Sequence, residues 1–277
     1  MPSQKPCIFC GSRAGLSKEH FWPAWLGPYL EDPLLGRHVS VVEVSQGKLS
    51  PEIRRKAERQ GSVFTKKIRA VCSTCNNGWM SRLEIQVKPT LLGLIEGKFL
   101  ELAPEQTDAL ARWVTAKVIV GEHATEDVAL TPVDDRQLLA CSGKVPEYFR
   151  IFLGRHQLRF AGAYKRHSAT LSRTLAGPVP PLSSDLTRNT QTTTFLVGRL
   201  VFYVHACRAA DFDPGVLDPT YGMVRLLPPS TMPADLGTHP PLTAAAVSTL
   251  SQSLQILIGS PQVRYAGPVS ARSPSAA

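Results

Sequence analysis

Two short stretches decide the fold of this chain: Cys7-Ile8-Phe9-Cys10 near its start, and Cys72-Ser73-Thr74-Cys75 further along. Each has the Cys-x-x-Cys spacing, whose tight turn presents two thiolates to one ion, and two such pairs fill the four positions of a tetrahedral zinc. Zinc that is held by four sulfurs has no open position for water, so the predicted site is structural. The chemistry of the protein is therefore expected from the side chains that the zinc holds together.

Polar residues suited to catalysis follow both cysteine pairs. Glu19 and His20 are adjacent and follow the first pair, whereas Asn76 and Asn77 directly follow the second. A neutral histidine suits a general base because its ordinary pKa of about 6.5 lies near working pH. Carboxylate and amide oxygens are ligands for hard divalent cations. Simple capping of a helix is the alternative role for the two asparagines.

These residues together resemble the HNH (His-Asn-His) endonuclease family, whose ββα-metal core is often held together by four cysteines. The similarity covers roughly residues 5–88. The family has an acid–histidine pair soon after its first cysteine pair, matched here by Glu19-His20, and then a proline and a glycine, matched by Pro23 and Gly27. It also has a His or Asn metal ligand at the start of the closing helix, where this chain has Asn76.

The chain departs from the family pattern between its two halves. The interval between the cysteine pairs is longer than a compact HNH core needs, which indicates an insertion. Lys67 stands where the family often has its middle asparagine, and Trp79 stands where a lysine is common.

The resemblance implies a metal-dependent endonuclease that hydrolyses phosphodiester bonds, with DNA more expected than RNA as its partner. It implies His20 as the general base, and Glu19 and Asn76 as ligands of one catalytic Mg²⁺ or Mn²⁺ ion, with Asn77 as the alternative to Asn76. The structural zinc would have four ligands: Cys7, Cys10, Cys72 and Cys75.

Two other functions remain open from the sequence. One is a non-catalytic, zinc-stabilised module that binds nucleic acid, in which the Glu19-His20 pair is only structural. The other is a protein-interaction role for the C-terminal region, with the zinc module as scaffold. A nuclease needs the His20 ring and the Asn76 side chain to converge on one open point, whereas a plain zinc knuckle leaves them pointing apart.

Positive charge is concentrated near the cysteine pairs. The 277-residue chain has a formal net charge of +9, and residues 1–90 hold 14 Lys and Arg against 7 Asp and Glu. A basic surface beside a metal site favours a polyanion, since neutralised phosphates release their counterions, although a solvated surface is the simpler alternative. The predicted nucleic-acid-binding residues are Arg54, Arg55, Lys56, Arg59, Lys66, Lys67 and Arg69.

The fold is predicted to be α+β, with a zinc-stapled ββα-metal module at the N-terminus and a mixed α+β region of unrecognised fold after it. The module is expected over residues 1–90, with a basic insertion at about 31–69. Residues 91–227 form the second region, whose role the sequence does not indicate. Residues 228–277 are expected to be a Pro-rich connector, a helix and a disordered tail.

The composition favours a soluble protein with a buried core. Hydrophobic residues make up 43% of the chain and charged residues 19%, and no apolar run reaches the roughly 18 residues that span a bilayer. The N-terminus has no apolar signal segment. Together these features predict a cytoplasmic protein without a membrane partner, and they do not indicate its oligomeric state.

Local patterns predict the elements that carry these residues. A strand is expected to hold Glu19 and His20, and a helix to run from about Asn76 to residue 87, ended by Pro89. Lys117 falls at the edge of the apolar face of the next helix and is expected to reach water. Other expected strands are 38–44, 64–71, a hairpin of 148–153 and 157–163, and a bent strand or hairpin at 192–206; other expected helices are 104–120, 134–142 and 243–258.

Overall fold

The structure is a computed structural model. It describes residues 5–13, 15–30, 37–44, 52–60, 67–98, 100–124, 129–158, 162–169, 171, 188–210, 212–230 and 233–259. For Glu19 and for residues 37–44 and 52–60 it describes the backbone alone. The predicted tail and the predicted contact residue Lys66 lie outside the described residues.

The N-terminal part has a β-β-α arrangement, and the chain as a whole is α+β, as predicted. Strand β1 (Leu16–His20) pairs antiparallel with β4 (Lys67–Cys72), so that Leu16 lies opposite Cys72 and His20 opposite Lys67. A short helix, α1 (Gly27–Leu30), follows β1 after a 3₁₀ turn. The strand predicted to carry Glu19 and His20 is β1.

The insertion between β1 and β4 contains a two-stranded ribbon. Strand β2 (Arg37–Val44) pairs antiparallel with β3 (Glu52–Gln60), from Arg37 opposite Gln60 to Val44 opposite Glu52. The strand predicted at 38–44 is confirmed. Strand β3 was not predicted, because its charged sequence lacks the alternation of apolar residues that marks a half-buried strand.

A helical segment starts directly after β4. It begins with α2 (Ser73–Cys75), passes through a π-helical turn at Asn76–Met80, and continues as α3 (Ser81–Glu96). Gly78 lies outside the helical region of backbone angles (φ −89°, ψ −109°), so the segment is kinked there. Kinks of this kind are typical of π-turns.

Pro89 lies inside α3 and does not end it, contrary to the prediction. A proline removes one N–H and crowds the carbonyl four residues earlier, here that of Ile85. Pro89 is exposed and Ile85 is 70% exposed, so the missing hydrogen bond is on the solvent side. The opposite side is anchored by buried apolar residues, among them Val87 and Leu91.

Helix α4 (Pro104–Glu122) is the centre of the molecule and contacts α3, β4 and the main sheet. It confirms the helix predicted at 104–120, but it is buried on nearly all sides from residue 109 onward. Lys117 is therefore only 1% exposed and does not reach water as predicted. Its ammonium group instead lies 2.8 Å from Glu84 Oε1 of α3.

The main sheet has five antiparallel strands in the order β10-β6-β9-β8-β7. The strands are β6 (Phe149–Arg155), β7 (Gly162–Ala169), β8 (Thr190–Val197), β9 (Leu200–Cys207) and β10 (Met223–Leu227). A tight turn with Gly198 at φ +59° joins β8 to β9, which confirms the predicted hairpin. One face of the sheet packs on α4, and α6 (Ala244–Ser251) and α7 (Ser253–Gly259) contact the other.

The predicted hairpin with its turn at 154–156 is wrong. Gly154 and Arg155 belong to β6, and β6 pairs with β9 and β10. A Cβ atom at Gly154 would lie 2.7 Å from the carbonyl oxygen of Gly222. The glycine at this position therefore permits a close approach of two strands and does not mark a turn.

The remaining elements are short or peripheral. They are β5 (Glu101–Leu102), which pairs with β11 (Ala234–Asp235), and α5 (Val133–Ser142), which confirms the helix predicted at 134–142. The final helix predicted at 243–258 is present as two helices, α6 and α7, that are separated at Gln252.

One apolar core includes residues from both sides of the predicted boundary at residue 90. Phe9, Trp22 and Val71 belong to the same buried cluster as Trp113 and Phe195. The ring centroids of Trp22 and Phe195 lie 5.7 Å apart. The N-terminal β-β-α part is thus packed against α4 and the main sheet.

Glu122, at the end of α4, is a buried carboxylate that accepts four hydrogen bonds. It is 0% exposed, and its donors are the backbone N–H groups of Leu130 and Thr131, the Thr131 hydroxyl and the Gln191 amide. Because Gln191 is on β8, this carboxylate ties helix, loop and sheet together.

Replacing Glu122 with Ala should lower the free energy of unfolding by about 3 kcal/mol, because several buried donors lose their acceptor at once. Urea unfolding followed by circular dichroism measures the change. Glu147→Ala is the matched control, since that side chain is 88% exposed and its loss should cost no more than about 0.5 kcal/mol. Equal effects of the two variants would contradict the role given to Glu122.

Candidate functional site

The four cysteines predicted to bind zinc come together in one cluster. The Sγ atoms of Cys7, Cys10, Cys72 and Cys75 all lie within 4.8 Å of one another, and those of Cys10 and Cys72 are 3.6 Å apart. Sulfurs around a tetrahedral zinc, with Zn–S bonds of about 2.3 Å, are separated by about 3.8 Å. The 3.6 Å separation is far beyond the roughly 2.05 Å of a disulfide bond, so the cluster fits a metal ion.

The backbone positions both cysteine pairs. The first pair lies in a turn in which the Gly11 N–H donates to the Cys7 carbonyl, and the Ile8 N–H donates to Ala70 of β4. Gly11 has φ +72°, which an L side chain rarely adopts. The second pair lies where β4 passes into the helix, with Cys72 ending the strand. The cysteine cluster therefore lies where the N-terminal turn meets the strand–helix junction.

The electrostatic surroundings favour a thiolate at Cys7. Burial raises the pKa of this thiol, but backbone hydrogen bonds from Cys10, Cys72 and Phe9 outweigh burial and lower it to about 7. The Cys72 N–H donates to Cys7 Sγ over 3.3 Å. Burial raises the pKa of the Cys75 thiol, so this sulfur gains most from a cation that stabilises its deprotonated form.

His20 ends β1 on the strand that pairs with β4. It is half-buried, and burial lowers its pKa, as do the positive charges of Lys67 and Lys117, whereas Glu84 opposes that shift. These causes favour the neutral imidazole at neutral pH. The ion pair of Glu84 and Lys117 therefore acts on the pKa of His20 through both of its charges.

Glu84 and Lys117 were missed as candidates from the sequence. Glu84 is on α3 and Lys117 on α4, and they meet only when the two helices pack together. The signal that could have found them is a lysine within the otherwise apolar middle of α4. A buried ammonium needs a nearby carboxylate to offset its desolvation.

The amide of Asn76 lies at the other end of β1 from His20. Its Nδ2 contacts Ser17 Oγ at 3.5 Å, and the Ser17 hydroxyl donates to the Val71 carbonyl over 2.9 Å. Ser17 and His20 are three residues apart, which is about 10 Å along a strand. No described residue donates to Asn76 Oδ1, so this oxygen is available to a cation. Asn77 is exposed.

Neither asparagine caps the helix. The helix starts at Ser73, with Cys72 before it and no side-chain capping bond there. Glu19 lies opposite Ile68 in the strand register, next to an irregularity between Ser17 and Glu19, and its side chain lies outside the described residues. Within the described part of the chain, no second group of three or more His, Cys, Asp or Glu side chains could hold a metal.

The predicted nucleic-acid-binding residues divide between two elements. Lys67 and Arg69 are exposed on β4. The others with a described backbone occupy β3, where Arg55 lies opposite Val42 and Arg59 opposite His38; these strand residues are Arg54, Arg55, Lys56 and Arg59.

Comparisons with known proteins found no match to this chain, whether among protein-family models, curated proteins or solved structures. In the described part of the chain, none of the helices combines the length and the apolar character that crossing a membrane requires.

The purified protein should contain one zinc ion per chain, and Cys72→Ser should lose it. Zinc binding contributes folding free energy in small zinc modules, so the variant should also lose order in residues 5–88. Metal analysis of the untreated protein and amide hydrogen exchange measure the two effects.

Cys141→Ser is the matched control, since Cys141 is an exposed free cysteine that lies outside the cluster. It should retain the full zinc content and the exchange protection of the wild type. A folded, untreated wild-type sample that contains no zinc would contradict the assignment of the cluster.

Proposed function

We propose that the protein is a metal-dependent endonuclease of the HNH type that hydrolyses phosphodiester bonds, with DNA more expected than RNA as its substrate. The observation that carries the proposal is the place of His20. It ends a strand whose partner, β4, runs directly into the zinc-binding cysteines. A reactive group on such a strand is held in a fixed position relative to the following helix.

His20 is proposed to take a proton from the water that attacks phosphorus. Burial and nearby positive charge lower its pKa, so the ring is neutral and can accept a proton near pH 7. As the water oxygen bonds to phosphorus, the opposite P–O bond breaks and the leaving oxygen takes a proton from solvent. The ring then returns its own proton to solvent.

A divalent cation is proposed at Glu19 and Asn76. The Oδ1 of Asn76, to which no described residue donates, is a suitable hard ligand, and Glu19 lies two residues after Ser17, which the Asn76 amide contacts. Asn77 is the alternative amide. A bound Mg²⁺ or Mn²⁺ would supply stabilisation of negative charge on the phosphate and leaving oxygens.

Binding of nucleic acid is supported by the basic ribbon. Four predicted contact residues lie on β3 of a two-stranded antiparallel ribbon, and a two-stranded ribbon is one of the elements that the DNA major groove admits. Lys67 and Arg69 extend positive charge along β4 toward the zinc site.

The second candidate function is a non-catalytic, zinc-stabilised module that binds nucleic acid. It is favoured by the contact of Asn76 with Ser17, because that contact directs the amide to the start of β1 whereas His20 is at its end. In this case the ribbon of β2 and β3 binds the nucleic acid, and His20 has no chemical role.

His20→Ala should lower the rate of cleavage of supercoiled plasmid by about 10²- to 10⁴-fold in the presence of Mg²⁺ or Mn²⁺, because the general base is lost. Zinc content and DNA affinity should not change. His239→Ala is the matched control, since His239 lies outside the N-terminal module and its loss should leave cleavage intact.

Asn76→Ala should weaken the catalytic cation, so that higher Mg²⁺ restores part of the activity, and Asn77→Ala shows which amide is the ligand. If zinc-loaded wild type cleaves neither DNA nor RNA with any divalent metal, the non-catalytic module is the correct account. If wild type and His20→Ala cleave equally well, the base has been misassigned.

Replacing Arg54, Arg55, Lys56 and Arg59 with Ala should weaken DNA binding for all sequences alike. The dependence of log affinity on log salt should become shallower by about one unit for each lost phosphate contact. The matched control removes the same charge from exposed positions elsewhere: Lys88, Lys144, Lys165 and Arg208. Equal salt slopes for the two quadruple variants would assign the β3 charges to a solvated surface.

A further inference from the structure

A cavity lies far along the chain from the cysteine cluster. It has a volume of about 250 Å³ and is lined by Arg155, His156, Gln157, Leu158, Arg199 and Pro241. Arg155 ends β6, and Arg199 is in the turn between β8 and β9. The backbone around the cavity is well held, because the Leu242 N–H donates to the Arg155 carbonyl and the His156 N–H to that of Arg199.

Two buried donors in this lining have no acceptor. His156 is 6% exposed, and its Nδ1 accepts a hydrogen bond from the Leu158 N–H. The proton of the neutral ring is therefore on Nε2. That Nε2 and the Nε of Arg155 are buried and have no hydrogen-bond partner among the described residues.

The surroundings of these donors favour an acceptor that carries negative charge. Arg155 is held by a 2.8 Å hydrogen bond from its Nη2 to the His239 carbonyl, and Arg199 is a second arginine in the lining. Among the described residues that line the cavity there is no Asp or Glu. Burial lowers the pKa of His156, and the nearby Gly198 carbonyl opposes this shift, so the ring donates one N–H.

The size of the cavity restricts the ligand. Pockets for drug-sized molecules occupy about 300–1,000 Å³, and this cavity is smaller. Buried N–H donors in a lining that contains two arginines suit the several acceptor oxygens of a compact oxyanion. Buried donors in native proteins are almost always paired, which makes the two unpartnered N–H groups informative.

We propose that this cavity is an oxyanion site that takes a phosphate group. Arg155 and Arg199 supply the positive charge, and His156 Nε2 supplies a neutral donor. The phosphate comes either from a free or terminal phosphate or from the backbone of a bound nucleic acid. The site does not depend on hydrolysis at His20, and it gives the region after residue 90 a binding role of its own.

The test is a titration of the full chain with inorganic phosphate, followed by the ¹⁵N and ¹H signals of the His156 ring, with chloride at matched ionic strength as reference. His156→Gln assigns the signals. Phosphate should shift them saturably, and Arg199→Gln should weaken the affinity by about tenfold, as expected for loss of a charge-assisted contact. Arg208→Gln, an exposed arginine outside the cavity, should leave the affinity unchanged.

Two oligonucleotides separate the sources of phosphate. A shift with a 5′-phosphorylated strand alone indicates a terminal phosphate, and an equal shift with the unphosphorylated strand indicates the backbone; both support the site. His156 signals that move with neither phosphate nor either strand would overturn the proposal. Equal losses of affinity in Arg199→Gln and Arg208→Gln would also overturn it, because the effect would then be one of overall charge.

Discussion

The convergence of four cysteine sulfurs is the constraint on which the N-terminal part depends. Two of the sulfurs come from a turn before β1, and two come from the junction of β4 with the helix. A backbone hydrogen bond from the Ile8 N–H to the Ala70 carbonyl joins the same segments. Sulfurs this close, without disulfide bonds between them, need a cation to neutralise their thiolate forms. The register of β1 against β4, and with it the place of His20, follows from this junction.

Helix α4 is the second organising element, because it joins that module to the main sheet. Its buried residues include two charged groups, each satisfied in a different way. Lys117 forms an ion pair with Glu84 of α3, whereas Glu122 accepts hydrogen bonds from a loop and from β8. Helix α4 is therefore tied by one buried charge to α3 and by the other to the main sheet.

Much of this arrangement could be predicted from local sequence. Cysteine spacing predicted the cluster of four sulfurs, apolar periodicity predicted α4, and local patterns predicted α5 and a bent strand or hairpin where β8 and β9 lie. The errors have a common physical cause, which is that tertiary packing overrides local signals. Gly154 permits close strand packing where a turn was expected, Pro89 is tolerated because it faces solvent, and Lys117 is buried because α3 supplies a carboxylate. Strand β3 was missed because its charged sequence lacks apolar alternation, and the cavity at His156 depends on long-range partners that no local pattern reveals.

We expect a zinc ion bound by four sulfurs to hold β1 and the helix together. X-ray absorption at the zinc edge of the purified protein is the direct test. The spectrum should show a first shell of four sulfur atoms at about 2.3 Å, unchanged in the His20→Ala variant. A shell that contains nitrogen or oxygen ligands at about 2.0–2.1 Å, or the absence of bound zinc, would contradict it.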